Sequence, residues 1–183
     1  KQWVHVRVED EDTGETVGSR IHFRTESGAY VAPHGHQTDV NIAWFEDMGG
    51  DCKVNGVPYA YIDGTCQVDM PVGSMYVEVV RGFEYEPVRR LVEIKPGQRD
   101  LTLKVKRAFD MKKRGWYSGD THVHFLSSQS AHLEAAAEDL NVTHLLASQW
   151  GRLFTSWEDF TGGLAPTSSE DYKIWVSQEN RQH

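Results

Sequence analysis

Alternation of apolar and polar residues is the feature of this sequence that most constrains its fold, and it covers much of the first hundred residues. Residues 100–106 (DLTLKVK) alternate strictly, and glycine or proline separates such segments. Because successive side chains of a β-strand point to opposite faces, this pattern indicates strands with one buried face. It predicts strands over residues 3–8, 19–24, 65–70, 74–81, 89–94 and 100–106. Strands at this spacing are typical of an antiparallel β-sandwich, which we assign to residues 1–106.

Residues 32–61 are less regular, and we expect them to form a long ordered insertion between strands. Trp44 and Phe45 lie in this stretch. Two roles remain open for them, a ligand-stacking surface or packing against the core of the same domain.

The pattern changes at residue 107, where we place the start of a second domain, residues 107–183. Residues 130–140 (SAHLEAAAEDL) predict a helix capped by Ser130. Residues 142–148 (VTHLLAS) form an almost continuous apolar run, which is typical of strands in parallel sheets. Residues 174–176 (IWV) predict another short buried strand. This order of elements predicts βαβ units.

A possible metal site begins at His122 and His124, which follow a short strand-like run. On a strand, side chains at i and i+2 point the same way, so the two imidazoles would lie side by side. Neutral imidazole is a common ligand for zinc and related ions. Asp120, two residues earlier, is expected on the same face, as a ligand, as a partner that orients an imidazole, or as a group that assists proton transfer.

The other half of this site is expected at the opposite end of the sequence. Glu179 and His183 come just after the strand at residues 174–176. A carboxylate such as Glu179 can bridge two metals or act catalytically, and His183 could complete the shell. A His-X-His pattern alone is weak, because nine histidines produce short spacings by chance. The same spacing at His34 and His36 lies in a Pro/Gly loop and is interpreted as a solvated loop.

Other histidines are weaker candidates. His132 lies on the predicted helix, and His144 in an apolar strand fits a satisfied core histidine better than a ligand. Gln149 and Trp150 end that strand and could line a pocket.

Composition excludes some classes of function. The net charge of −8 argues against a nucleic-acid-binding surface, which needs a basic patch. Residues 104–114 hold the longest basic cluster, interpreted as a solvated linker between domains. No apolar run is long enough for a membrane span. Cys52 and Cys66 could form a disulfide or remain free thiols.

We expect the chain to be an N-terminal fragment, because it begins without methionine and ends just after a possible ligand. A signal peptide could have been removed. A secreted or periplasmic location is expected, and a cytoplasmic one stays open.

Three motifs in the second half resemble a known family. The segments 115–124 (GWYSGDTHVH), 145–151 (LLASQWG) and 179–183 (ENRQH) resemble the PHP (polymerase and histidinol phosphatase) family of the amidohydrolase-like group, in its carbaryl-hydrolase-like branch. Segments 61–64 and 71–87 are similar to the transthyretin-like, carboxypeptidase-regulatory β-domain that often precedes this catalytic domain. The resemblance implies a fold that is mostly β plus α/β, an antiparallel β-sandwich followed by the first βαβ units of a truncated (β/α) barrel.

The same resemblance implies a chemistry. A divalent metal, zinc first and iron or manganese as alternatives, would activate water for attack on an ester, amide, carbamate or phosphoester. His122, His124, Glu179 and His183 match family ligand positions, and Asp120 lies in the family motif. Residues 125–130 lack the acid that many members carry, which favours fewer metals. The expected fragment would be inactive alone.

Three functions remain open on the sequence. The leading one is a metal-dependent hydrolase acting on a small-molecule substrate. The second is a non-catalytic β-sandwich binding module with a degenerate or incomplete metal site, and the third is an accessory role in which the sandwich shields its neighbour. Metal at His122 and His124 discriminates between the first two. Exposed strand edges and faces of an incomplete barrel predict self-association or pairing with a missing segment.

Overall fold

The computed structural model describes residues 1–40, 50–147 and 159–179. Their strands are β1 Gln2–Asp10, β2 Ser19–Thr25, β3 Asp51–Val54, β4 Val57–Ile62, β5 Thr65–Met70, β6 Gly73–Val80, β7 Tyr85–Glu86, β8 Val88–Ile94, β9 Asp100–Arg107, β10 Gly119–Val123, β11 Val142–Ala147 and β12 Lys173–Gln178. The helices are a short 3₁₀ helix, Lys112–Arg114, and α1, Ser128–Ala137.

The first nine strands form a sandwich of two sheets. One sheet has the order β5-β1-β9-β7 and the other the order β3-β4-β2-β6-β8. Alternate valines of β1, Val4, Val6 and Val8, are fully buried and pack with Ile21 and Phe23 of the facing sheet. A β-sandwich-like first half is therefore consistent with the alternating sequence. It is not purely antiparallel, because β1 and β9 pair in parallel.

A second, smaller sheet follows the sandwich. Its order is β10-β11-β12, and both pairings are parallel. Helix α1 connects β10 to β11 and covers one face, where Ala131 and Ala135 pack against Leu145 and Ile174. The Ser127 side chain caps α1 by accepting from the Ser130 backbone N–H.

The predicted fold class is wrong, because the described chain is nearly all β and forms no barrel. It contains one α-helix, and the three parallel strands make an open sheet. No α-helix lies in residues 159–172, the described part of the connection to β12. The apolar run of β11 marks a buried strand, but α1 covers only one face of this sheet. On the other face Val142 and Trp175 are exposed.

The predicted insertion at residues 32–61 contains strands that the sequence pattern did not predict. β3 and β4 form a hairpin through Asn55 and Gly56, whose φ angles of 52° and 82° suit a type I′ turn. Trp44 and Phe45 lie outside the described residues. The division into domains 1–106 and 107–183 stays a prediction.

The two cysteines are free thiols in this structure. Burial raises the pKa of Cys52 to about 11 and that of Cys66 to about 12, so both are protonated at neutral pH. Neither thiol is poised to act as a nucleophile.

Truncation of Phe23 should destabilise the sandwich strongly. Its side chain is 0% exposed, so Phe23→Ala should lower the free energy of unfolding by about 3–5 kcal/mol through lost burial and a residual cavity. Phe83 is 89% exposed and provides a control of the same residue type. Phe83→Ala should change stability by less than about 0.5 kcal/mol in urea unfolding. Equal losses in the two variants would contradict the assigned core.

His22 should make stability fall in mild acid. It is buried, donates from Nδ1 to the Pro58 carbonyl over 2.7 Å, and stacks on Tyr30. Burial lowers the pKa of His22 below its ordinary 6.5. The unfolded chain therefore binds more protons just below pH 6.5, and stability drops as the pH falls through that window.

Urea unfolding between pH 7.5 and pH 5 measures this effect. His22→Gln should flatten the pH dependence relative to the unmutated protein. His5→Gln, which removes a histidine from β1, controls for the substitution itself. If the free energy of unfolding of His22→Gln depended on pH as it does in the unmutated protein, other groups would cause the loss of stability in acid.

Candidate metal centre

A β-bulge in β10 decides which side chains face the same way. Asp120 pairs with Thr143 and Val123 pairs with Leu145, so three steps along β10 match two steps along β11. Side chains paired across strands share a face, and one extra residue exchanges the faces beyond it. Asp120 and Val123 therefore lie on the side covered by α1, whereas His122 and His124 lie on the other side. The expectation that Asp120 shares a face with His122 does not hold.

Three of the predicted ligands come together at one end of the small sheet. His122 Nε2 and His124 Nε2 are 3.0 Å apart, and His124 Nε2 is 3.0 Å from Glu179 Oε2. Ligand atoms of the three residues all lie within 4.8 Å of one another. Ligands about 2.0–2.1 Å from a tetrahedral zinc are separated by roughly 3.3 Å, and the two 3.0 Å separations at His124 are close to this value.

The backbone next to His124 has an uncommon conformation. Phe125 has a φ of +62°, in the left-handed region that residues other than glycine rarely adopt. This bend lies just after the end of β10 at Val123, and the centroids of the His124 and Phe125 rings are 5.5 Å apart. Left-handed residues of this kind concentrate at functional sites.

The three ligands lack some of the hydrogen-bond partners that usually surround a metal site. Metal-bound histidines usually donate their other ring N–H to a carboxylate or carbonyl. Within the described parts of the chain, the buried Nδ1 of His124 has no hydrogen-bond partner. The Asp120 carboxylate accepts from the His122 backbone N–H over 3.0 Å instead of orienting an imidazole. His183, the fourth predicted ligand, and Gln149 and Trp150 lie outside the described residues.

The other histidines have separate partners. His36 Nδ1 lies 2.9 Å from Asp51 Oδ1, and the His34 ring packs edge-on against Trp3, so the two do not form a pair of ligands. His132 Nε2 contacts Ser169 Oγ at 3.1 Å, and His144 Nε2 contacts Ser177 Oγ at 2.6 Å.

Sequence reasoning missed a cluster of charged and phenolic groups where the small sheet meets the sandwich. The Asp139 carboxylate accepts from Arg81 Nη2 at 3.0 Å, Arg107 Nη2 at 2.9 Å and the Tyr172 hydroxyl at 3.0 Å. Arg107 was assigned to a solvated linker, but it also donates to Glu84. Arg107 differs from the solvated basic residues near it because its acidic partners, Glu84 and Asp139, are distant in the sequence.

Comparisons with known proteins give little to identify this chain. No family model and no curated protein matches it. The crystal structure of the group B streptococcus pilus 2b backbone protein is similar, with a TM-score of 0.40 and 12% identity, over 60% of this chain and 42% of that one. The chain thus spans less than half the length of that protein. A likeness at this level leaves the function to be argued from the chain's own residues.

The predicted membership of the PHP family is wrong. No model of that family matches, and the described chain is nearly all β without a barrel. The short histidine and acid motifs carried the resemblance, and a few metal-type ligands do not define a fold. The hydrolase activity that the resemblance implied loses this support. In the described parts of the chain, no helix has the length and apolar character needed to span a membrane.

Proposed function

We propose that this chain is a non-catalytic β-sandwich binding or accessory module that carries an incomplete metal site. The observation behind this proposal is the convergence of His122, His124 and Glu179 within 4.8 Å. The sandwich provides the scaffold, and the small sheet presents the three ligands at its edge.

Zinc is the metal that this ligand set favours. Two imidazoles and one carboxylate are borderline ligands, and three protein ligands leave at least one coordination position open on a four-coordinate ion. Iron or manganese are the alternatives for the same donors. When bound, the metal would supply positive charge and a coordination position for a further ligand. His122 and His124 would hold it through Nε2, and Glu179 through a carboxylate oxygen.

A binding role agrees better with the described contacts than chemistry does. Asp120, the group expected to assist proton transfer, is engaged with the His122 backbone and belongs to the opposite face of β10 by strand register. His124 Nδ1, the ring nitrogen turned away from the other two ligands, has no hydrogen-bond partner among the described residues. Both features weaken control of a metal-bound water without preventing metal binding.

The partners and location of the module stay predictions. A small molecule remains a candidate ligand. Self-association remains a candidate use of the exposed apolar side chains in and beside the small sheet, which include Tyr117, Val142, Leu164 and Trp175. A secreted or periplasmic location is retained as a prediction.

Removal of one imidazole should abolish tight zinc binding. The unmutated chain, stripped with chelator and titrated with zinc in a calorimeter, should bind close to one ion. His122→Ala should weaken the affinity by at least about 100-fold, because two remaining ligands hold the ion poorly. His34→Ala removes a histidine from the other His-X-His sequence and should bind as the unmutated chain does. Equal affinity in His122→Ala would refute the assignment.

The same samples test the non-catalytic part of the proposal. The zinc-loaded chain should hydrolyse an activated ester, such as p-nitrophenyl acetate, no faster than His122→Ala at equal zinc concentration. A rate that disappears in His122→Ala but persists in His34→Ala would overturn this part and leave metal binding intact.

A further inference from the structure

All three strands of the small sheet begin beside Asp139. Its backbone carbonyl accepts from Ser118 Oγ at 2.8 Å, one residue before β10. Its carboxylate accepts from the Tyr172 hydroxyl at 3.0 Å, one residue before β12. Asn141, one residue before β11, accepts from the Ser118 backbone N–H at 3.1 Å. Asp139 has a φ of +54°, a conformation that Asp and Asn tolerate better than most residues.

The metal ligands lie at the opposite ends of these strands. His122 and His124 are at the end of β10, and Glu179 directly follows β12. A strand rises about 3.3 Å per residue and is stiff along its length because its backbone is paired. The start of each strand therefore controls where its ligand arrives.

Two arginines of the sandwich donate hydrogen bonds to the Asp139 carboxylate. Arg81, directly after β6, is 4% exposed and donates from Nη2 to the Asp139 carboxylate at 3.0 Å. Its Nη1 donates at 2.6 Å to two carbonyls, of Gly18 in the sandwich and of Ala136 in α1. Arg107, at the end of β9, donates to the other carboxylate oxygen at 2.9 Å. The sandwich thus contributes two guanidinium groups to one acid.

Close backbone approach reinforces this contact. A Cβ atom added to Gly82 would lie 2.1 Å from the Glu138 carbonyl oxygen, a severe clash with backbone. A Cβ on Gly18 would lie 3.3 Å from the backbone of Ala136 and Ala137. The C-terminal end of α1 therefore packs against the sandwich at Gly18 and Gly82, two positions without a side chain.

We propose that Asp139 is a positioning residue through which the sandwich holds the strands that bring His122, His124 and Glu179 together. The Asp139 junction, defined here as Arg81, Gly82, Arg107, Asp139 and Tyr172, couples the sandwich to the metal centre. This inference rests on the proposed metal binding. It adds that metal affinity depends on contacts at the far end of the small sheet, which touch no ligand.

Gly82→Ala and Asp139→Asn test the junction from its two sides. Gly82→Ala introduces the clash with the Glu138 carbonyl. Asp139→Asn keeps the side-chain shape and the left-handed backbone but removes the charge that faces Arg81 and Arg107. Gly14→Ala is the matched control, because Gly14 also has a positive φ, of +74°, and nothing lies within 4 Å of its added Cβ.

Two measurements are made on each variant of the 183-residue chain. Zinc calorimetry should show an affinity about tenfold weaker in Gly82→Ala and Asp139→Asn, and unchanged in Gly14→Ala. Hydrogen exchange without zinc should show faster exchange in β10 and β12 of the two junction variants. Unchanged protection of β2 and β6 in Asp139→Asn would establish that the sandwich remains folded.

The outcomes separate this inference from the proposed function. Unmutated zinc affinity in a folded Gly82→Ala or Asp139→Asn variant would overturn the inference, while loss of binding in His122→Ala would still uphold the metal site. If the unmutated chain binds no zinc, the metal site and its positioning fail together. Hydrogen exchange in β10 and β12 would then still show whether the Asp139 junction stabilises the small sheet.

Discussion

The arrangement of this protein depends on the ion pairs that Asp139, whose side chain is 13% exposed, makes with two arginines. Removing a carboxylate and guanidinium groups from water costs several kcal/mol for each ion, and only close pairing with full hydrogen bonding offsets this cost. Here Arg81 and Arg107 each donate to a different oxygen of Asp139, and Tyr172 donates as well. Burial alone would lower the pKa of Arg81, but Tyr172 and then Asp139 raise it above its ordinary value. The cluster therefore specifies one orientation of the small sheet.

A second constraint acts at the other end of that sheet. The β10 bulge adds one residue between Asp120 and Val123, which turns Val123 into the α1 interface and leaves His122 and His124 on the open face. Without this residue, the period of two would put Asp120 beside the imidazoles. The bulge, a local irregularity of the backbone, thus determines that His122, His124 and Glu179 come together without Asp120. Residue type alone does not determine this.

Much of the sandwich could be predicted, because alternation directly records which face of a strand is buried. The β3–β4 hairpin was missed although its Asn55-Gly56 turn is a strong hairpin signal. The parallel pairing of β1 with β9 joins residues about a hundred positions apart. The ion pair of Arg107 with Asp139 joins residues 32 positions apart, and no local pattern encodes either partner. The barrel failed as a prediction because an apolar strand does not reveal how many others join it.

The amino-acid sequence by itself determined the strand faces and the supply of imidazole and carboxylate ligands at His122, His124 and Glu179, because side-chain chemistry and short-range periodicity are local properties. Only the tertiary structure decided that these ligands converge and that Asp120 does not join them. It also decided that an open three-stranded sheet packs against the sandwich through the contacts of Asp139. The physical reason is that convergence requires strand register and paired charges, both of which exist only after distant segments have packed.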